Sequence, residues 1–266
     1  MSVLIVIPAR YASTRYPGKP LVELRGATGE AKSLIRRSWD AACAVQGIDR
    51  VVVATDDDRI CEVATGFGAE VILTSTTCQN GTERCAETLD KLDQKYDIIV
   101  NLQGDAPLTP AWFVEDLVQG LRDHPNAQVA TPVLRTEGRA LNGLLQDRRE
   151  GRVGGTTAVF GADHNALYFS KEVIPYTGKV FSDQDDTPVF HHVGVYAYRP
   201  EALMAYPQWQ SGPLEQLEGL EQLRFLERGV PMLCVEVAAK GRQFWELNNP
   251  EDVPRIEAML KDMQHP

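Results

Sequence analysis

The chain has 266 residues, 43% of them hydrophobic, which is enough to bury a full core as one large domain or a domain with an inserted lobe. Its formal charge of −10 argues against a general affinity for nucleic acid or anionic lipid, because such polyanions are held by surplus Lys and Arg. Any polyanionic ligand must therefore meet a local basic patch. The five cysteines, Cys43, Cys61, Cys78, Cys85 and Cys234, show no C-x-x-C spacing, and an odd number is a poor disulfide framework, so a reduced, cytoplasmic setting is expected.

The first apolar run, residues 3–7, is too short for a signal segment or a membrane span and is broken off by Pro8. Its β-branched and Leu content predicts a strand buried on both faces of a parallel sheet. Apolar residues at helical spacing over 32–45 and a second buried run at 51–54 complete a strand, helix, strand unit. Helices are then expected at 57–67 and 82–92, with strands at 71–73 and 98–102, the last delivering Gln103-Gly104-Asp105 at its carboxyl end. Beyond residue 128 the alternation loosens. Strands are expected at 129–133, 156–160 and 193–198, and the polar stretch 181–188 reads as an exposed loop. A leucine stripe, Leu214, Leu217, Leu220, Leu223 and Leu226, predicts one helix over 214–228 with that stripe in the core. A Pro-initiated helix over 250–264 follows. The pattern predicts a doubly wound, mostly parallel α/β sheet, with ligands bound beyond the carboxyl ends of its strands.

The loop after the first strand, within IPARYASTRYPGKPL (7–21), gathers Arg10, Arg15 and Lys19 with Ser13, Thr14 and Gly18. Three cations and nearby backbone N–H groups at a strand end suit a triphosphate. For any one of these Arg residues alone, an exposed solvated charge is an equally good reading. Neither G-x-x-x-x-G-K-[ST] nor G-x-G-x-x-G follows the strand, which argues against a P-loop NTPase and a NAD-dependent oxidoreductase.

This loop closely resembles the amino-terminal signature of the 3-deoxy-D-manno-octulosonate cytidylyltransferases, the CMP-Kdo synthetase family. The resemblance continues in order through VVVATDDDRI, QNGTERCAE, VNLQGDAPL, ALYFSKEVIPY, HHVGVYAYR, PLEQLEGLEQLR and NNPEDVPRI, and so spans essentially the whole chain. It implies a single Rossmann-like nucleotidyltransferase domain over 1–266, with a smaller lobe of about 134–200 covering the acceptor site. The implied reaction is transfer of CMP from CTP to an acidic sugar, with Mg²⁺, in a cytoplasmic homodimer that binds neither nucleic acid nor membrane. Arg10, Lys19 and Asp105 are the implied catalytic residues. The implied nucleotide contacts are Ala9, Arg10, Ser13, Arg15, Lys19, Gln79, Gly81, Thr82, Arg84 and Gln103. Gln103, His192, Tyr196, Glu215 and Glu218 are implied to meet the acceptor, His192 as a partner for its carboxylate. A solvated acidic helix face remains the alternative for the two Glu residues, and a helix-capping Asp for Asp105.

The sequence also departs from the family. The closing Val-Asp-Thr-Pro-Glu-Asp motif reads Leu247-Asn248-Asn249-Pro250-Glu251-Asp252, so the implied metal ligands are Asp105 and a neutral Asn248. Ala106 stands where the family has Glu, Cys78 where it has His, and Trp245 and Glu246 replace small residues. These changes leave open a different acceptor, such as an amino-substituted octulosonate, and a CTP-binding homologue without catalysis.

Overall fold

The structure, a computed structural model, describes residues 1–12, 16–105, 107–153, 155–242, 247 and 249–262. Two compact units divide the chain, one made of Met1–Glu115 with Lys240–Pro266 and the other of Asp116–Ala239.

The first unit is built on β1 (Val3–Ala9), all seven residues of which are buried. A short hairpin, β2 (Glu23–Arg25) and β3 (Ala31–Ser33), precedes α1 (Leu34–Cys43). Then come β4 (Arg50–Thr55), α2 (Asp58–Gly66), β5 (Glu70–Leu73), α3 (Gly81–Asp90), β6 (Ile98–Leu102) and α4 (Ala111–Asp123), the last counted in the second unit from Asp116 on. Apart from that antiparallel hairpin, the strands of this unit lie in the order β5-β4-β1-β6, all parallel. Ile5 pairs with Val51 on one side and Val100 on the other. Removing side chains such as Leu4, Ile5 and Ile7, all at 0% exposure, from water stabilises the sheet by about 1.5–3 kcal/mol each. The expected α/β fold with a parallel sheet is what the first unit forms.

Local chemistry fixes the helix starts. Ser33, Asp57 and Asn80 are N-caps that accept from the backbone N–H of Arg36, Arg59 and Glu83. Glu83 reaches back to accept from Gln79 N at 2.8 Å, which closes a reciprocal cap on α3. The helix expected from residue 32 begins at Leu34, because Ala31–Ser33 pairs with β2 instead. Gly104 is required by close approach: a Cβ there would lie 2.9 Å from the carbonyl oxygen of Pro8.

In the second unit β7 (Val129–Glu137) leads to α5 (Gly138–Arg149), β8 (Thr156–Phe160), β9 (Ala166–Ser170), β10 (Asp186–His192) and β11 (Val195–Tyr198). There follow α6 (Pro200–Ala205), α7 (Pro213–Glu218), α8 (Leu223–Glu227) and β12 (Met232–Glu236). β10 and β11 pair antiparallel with successive parts of one edge of β7, and β12 pairs parallel with the other edge. β8 and β9 extend the β10 side.

Three expectations change here. The helix expected over 214–228 is two helices, because Gly219 takes a left-handed conformation (φ 62°) that ends α7. Its leucine stripe is not all core: Leu217 is 83% exposed while Leu223 is fully buried, since the break at Gly219 interrupts the common helical face. The stretch 181–188 is a loop only in part, as β10 starts at Asp186.

The last described helix, α9 (Asp252–Asp262), belongs to the first unit, where Ile256, Met259 and Leu260 pack with Leu24, Leu34, Leu108 and Leu247. No helix among the described residues is long and apolar enough to cross a membrane.

Candidate active site

The carboxyl ends of β1 and β6 and the start of α3 carry the polar groups of the first unit. Ala9 is the last residue of β1, buried and in register with Thr55. Arg10 follows it, exposed, with its guanidinium donating to the carbonyl of Gln79 at 3.4 Å. Gly18, at φ 72°, donates its N–H to the carbonyl of Tyr11, and Lys19 opens the 3₁₀ turn Lys19–Leu21. Lys19 Nζ lies 2.6 Å from Asp105 Oδ2, with the two side chains 13% and 28% exposed. The carbonyl of Asp105 accepts from Leu247 N at 3.0 Å, which ties this residue to the segment leading into α9. Asp105 therefore does not serve as a simple helix cap.

At the start of α3, Gly81 lies against Gln103 and Asn101: a Cβ on it would stand 2.9 Å from Gln103 Nε2 and 3.2 Å from Asn101 Nδ2. Thr82 and Arg84, expected as ligand contacts, instead point inward, at 1% and 3% exposure. The Arg84 guanidinium is taken up by the Thr74 hydroxyl and by Asp56 at 3.0 Å, so it clips the ends of β4 and β5 to α3. Asp56 was not singled out by sequence, although its place in the acidic run just after a buried strand was a usable signal. Cys78, where the family has His, donates its thiol to Glu87 Oε2 at 3.0 Å. Burial, with the adjoining Glu87 carboxylate, pushes this thiol up to about 12, so it stays protonated and holds the loop before Gln79.

The second unit holds the residues expected at the acceptor. His192 is buried, and its Nε2 lies 2.9 Å from the Thr131 hydroxyl. That hydroxyl also contacts the Val195 carbonyl at 2.9 Å, to which it must give its single proton, so Nε2 carries the ring proton and donates to Thr131. Burial holds the imidazole down to about 3, with His191 adding to the effect. His192 is therefore neutral near pH 7. Its ring packs edge-on against Phe169 and beside Tyr196. Tyr196 donates to Gln222 Oε1 at 3.1 Å.

Glu215 and Glu218 do not form a solvated acidic face. Glu215 is held by Arg224 through two hydrogen bonds of 2.7 Å, both partners being buried. Glu218 accepts from Ser170 Oγ at 2.7 Å and from Lys171 N at 2.9 Å, and so fastens α7 to the end of β9. Thr131, Gln222 and Arg224 were missed by sequence, because their roles come from partners distant in the chain. Ser13, Arg15 and Asn248, with Thr14, Ala106, Trp245 and Glu246, lie outside the described residues.

Among the described residues no group of three or more His, Cys, Asp or Glu side chains could by itself hold a metal ion. The donor set still fits Mg²⁺. This cation commonly takes one or two carboxylates and completes its shell with water and substrate phosphates. Asp105 is such a carboxylate, and it already faces a cation, the Lys19 ammonium.

A parallel α/β sheet with an Arg and Lys loop beyond its first strand and a carboxylate beyond its last defines a nucleotidyltransferase, and the cytidylyltransferase family model matches residues 4–236. Within that family, the chain belongs to the 3-deoxy-manno-octulosonate cytidylyltransferases. It is 42% identical to the protein of that name from Maricaulis maris, over 98% of this chain and 97% of the relative. Identity to the Chlamydia pneumoniae protein of the same name is also 42%, over 96% and 92%. A solved structure of CMP:2-keto-3-deoxy-manno-octonic acid synthetase complexed with CTP is 33% identical, covers 99% of this chain and 100% of its own, and has a TM-score of 0.82.

Proposed function

We propose that this protein transfers CMP from CTP to 3-deoxy-manno-octulosonate with release of pyrophosphate, using Mg²⁺, in the cytoplasm and as a homodimer. The acceptor's anomeric hydroxyl oxygen forms a bond to the α-phosphorus of CTP. The bond from that phosphorus to the pyrophosphate oxygen breaks, and the hydroxyl proton is lost. Such a transfer depends mainly on alignment and charge neutralisation.

The observation that carries this reading is the meeting of Lys19 and Asp105 beyond the ends of β1 and β6, with the exposed Arg10 directly after β1. Arg10, Arg15 and Lys19 hold the triphosphate, and Lys19 offsets charge developing between the α- and β-phosphates. Ala9, Ser13, Gln79, Gly81 and Gln103 line the nucleotide, while Thr82 and Arg84 brace the helix that presents Gly81. Asp105 and Asn248 are the residues that would hold Mg²⁺, which when bound neutralises phosphate oxygens. His192 and Tyr196 face the acid sugar as neutral hydrogen-bonding groups, with Glu215 and Glu218 fixing α7 around them, and a lobe of about 134–200 covers the acceptor.

All five cysteines are free thiols, which supports a reducing compartment. Two leucines on joined elements support the homodimer: Leu167 of β9 is 68% exposed and Leu217 of α7 is 83% exposed. The test is incubation with CTP, Mg²⁺ and a panel of acidic sugars, followed by mass detection of CMP conjugates and pyrophosphate. A conjugate of 3-deoxy-manno-octulosonate, with CTP preferred over ATP and UTP, is the expected result. A conjugate with only an amino-substituted octulosonate would replace the acceptor, and CTP binding without any conjugate would replace catalysis with binding.

A further inference from the structure

We propose that Asp105 selects the metal-bound form of the nucleotide by withholding Lys19 from metal-free triphosphate. The inference rests on the CTP reading above and extends it to the ionic form of the substrate.

Two cations of the phosphate loop lie in contrasting states. Arg10 is exposed, with its guanidinium at a neutral carbonyl of Gln79, 3.4 Å away. Lys19 is largely buried and latched to a carboxylate at 2.6 Å. A metal-free triphosphate can take Lys19 only by pulling the ammonium off Asp105. That exchange leaves a partly buried carboxylate facing phosphate oxygens, and like charges in a site of reduced dielectric repel strongly. A triphosphate carrying its divalent cation meets a different balance. There Asp105 would hold the cation in place of the ammonium and Lys19 would be free for the phosphates, so every charge would keep an opposite partner. Asp105 is thus a metal ligand toward one form of the nucleotide and a repelling group toward the other. The Leu247 N–H bond to its carbonyl holds its backbone in place through the exchange.

The test is calorimetric titration of CTP, in EDTA and in Mg²⁺, into four folded proteins: wild type, Asp105→Asn, Lys19→Ala and the double variant. Wild type should bind CTP weakly in EDTA. Asp105→Asn should bind metal-free CTP about tenfold more tightly, a coupling of ordinary size between two sites, and should lose the gain that Mg²⁺ gives wild type. In the Lys19→Ala background the same substitution relieves only the repulsion and has no latched ammonium to release, so it should tighten metal-free binding severalfold less than it does with Lys19 present. Equal tightening in both backgrounds would mean a general loss of negative charge and would overturn the inference. So would unchanged or weaker metal-free binding in Asp105→Asn while wild type binds CTP with Mg²⁺. If none of the four proteins binds CTP under either condition, the nucleotide reading itself falls, and the inference with it.

Discussion

Arg224, 3% exposed on its side chain, gives Glu215 two hydrogen bonds, so Arg224→Ala strands a carboxylate inside the second unit. Removing one partner of a buried pair costs about 3–5 kcal/mol, and a urea titration of the variant should show a loss of that size. Gly81→Ala acts differently. Its Cβ would stand 2.9 Å from Gln103 Nε2 and 3.2 Å from Nδ2 of the buried Asn101, so both side chains must give way. CTP should then bind up to about tenfold more weakly, the worth of one hydrogen bond, measured on protein that circular dichroism shows folded. Unaltered CTP affinity would take Gln103 out of the nucleotide site. His192 supplies a pH dependence. Its folded value is held to about 3 by burial, whereas an unfolded His titrates near about 6.5. Between these values the unfolded chain binds a proton that the folded chain cannot, so stability present above about pH 6.5 is lost as the pH falls. His192→Asn should flatten that decline in urea midpoints measured from pH 7.5 to 5, and parallel slopes would assign the proton uptake elsewhere. The environments of Arg84, Glu215 and His192 could not be read in full from sequence. Arg84, Glu215 and His192 are residue types usually found at surfaces or sites, and their inward paths depend on Asp56, Arg224 and Thr131, which only the folded chain brings near.

At the scale of elements, legibility followed local pattern. The runs at residues 3–7, 51–54 and 98–102 are rich in β-branched residues, and they form β1, β4 and β6 within a residue or two of the expected limits. The expected single helix over 214–228 failed because leucines at helical spacing outweighed one glycine. Gly219 adopts φ 62°, a conformation that costs an L-residue about 1–2 kcal/mol. Gly219→Ala should therefore destabilise the protein by about that amount, measured by chemical denaturation, rather than fuse α7 to α8. A stabilised variant with higher helical ellipticity would show that the sequence favours one long helix after all. The pairing of β10 and β11 along one edge of β7 was also hidden, since strand partners so distant in the chain, such as Glu137 and Asp186, leave no local trace.

For the whole molecule, the order of the motifs revealed both the family and the parallel sheet, but not the division at Glu115 and Lys240, because no linker composition marks it. The Lys19 and Asp105 contact was likewise legible only as two separate strand-end residues, 86 positions apart. Association is the property tested at this scale. Leu167 and Leu217 are exposed on elements that Glu218 fastens together, so in the proposed homodimer Leu217→Glu should weaken association, read as a shift toward monomer in sedimentation velocity. A wild type that sediments as a monomer at micromolar concentration would rule out the homodimer.

The hydrogen bond from Leu247 to the carbonyl of Asp105 also bears on how the protein is made. Leu247 and α9 complete a cluster whose other members, Leu24, Leu34 and Leu108, precede the whole of Asp116–Ala239. On a ribosome adding about 5–20 residues each second, the first unit must wait several seconds with that apolar surface uncovered. Nascent chains stalled before residue 240 should therefore be cut readily by protease at the Asp105 loop, while chains released after residue 262 resist.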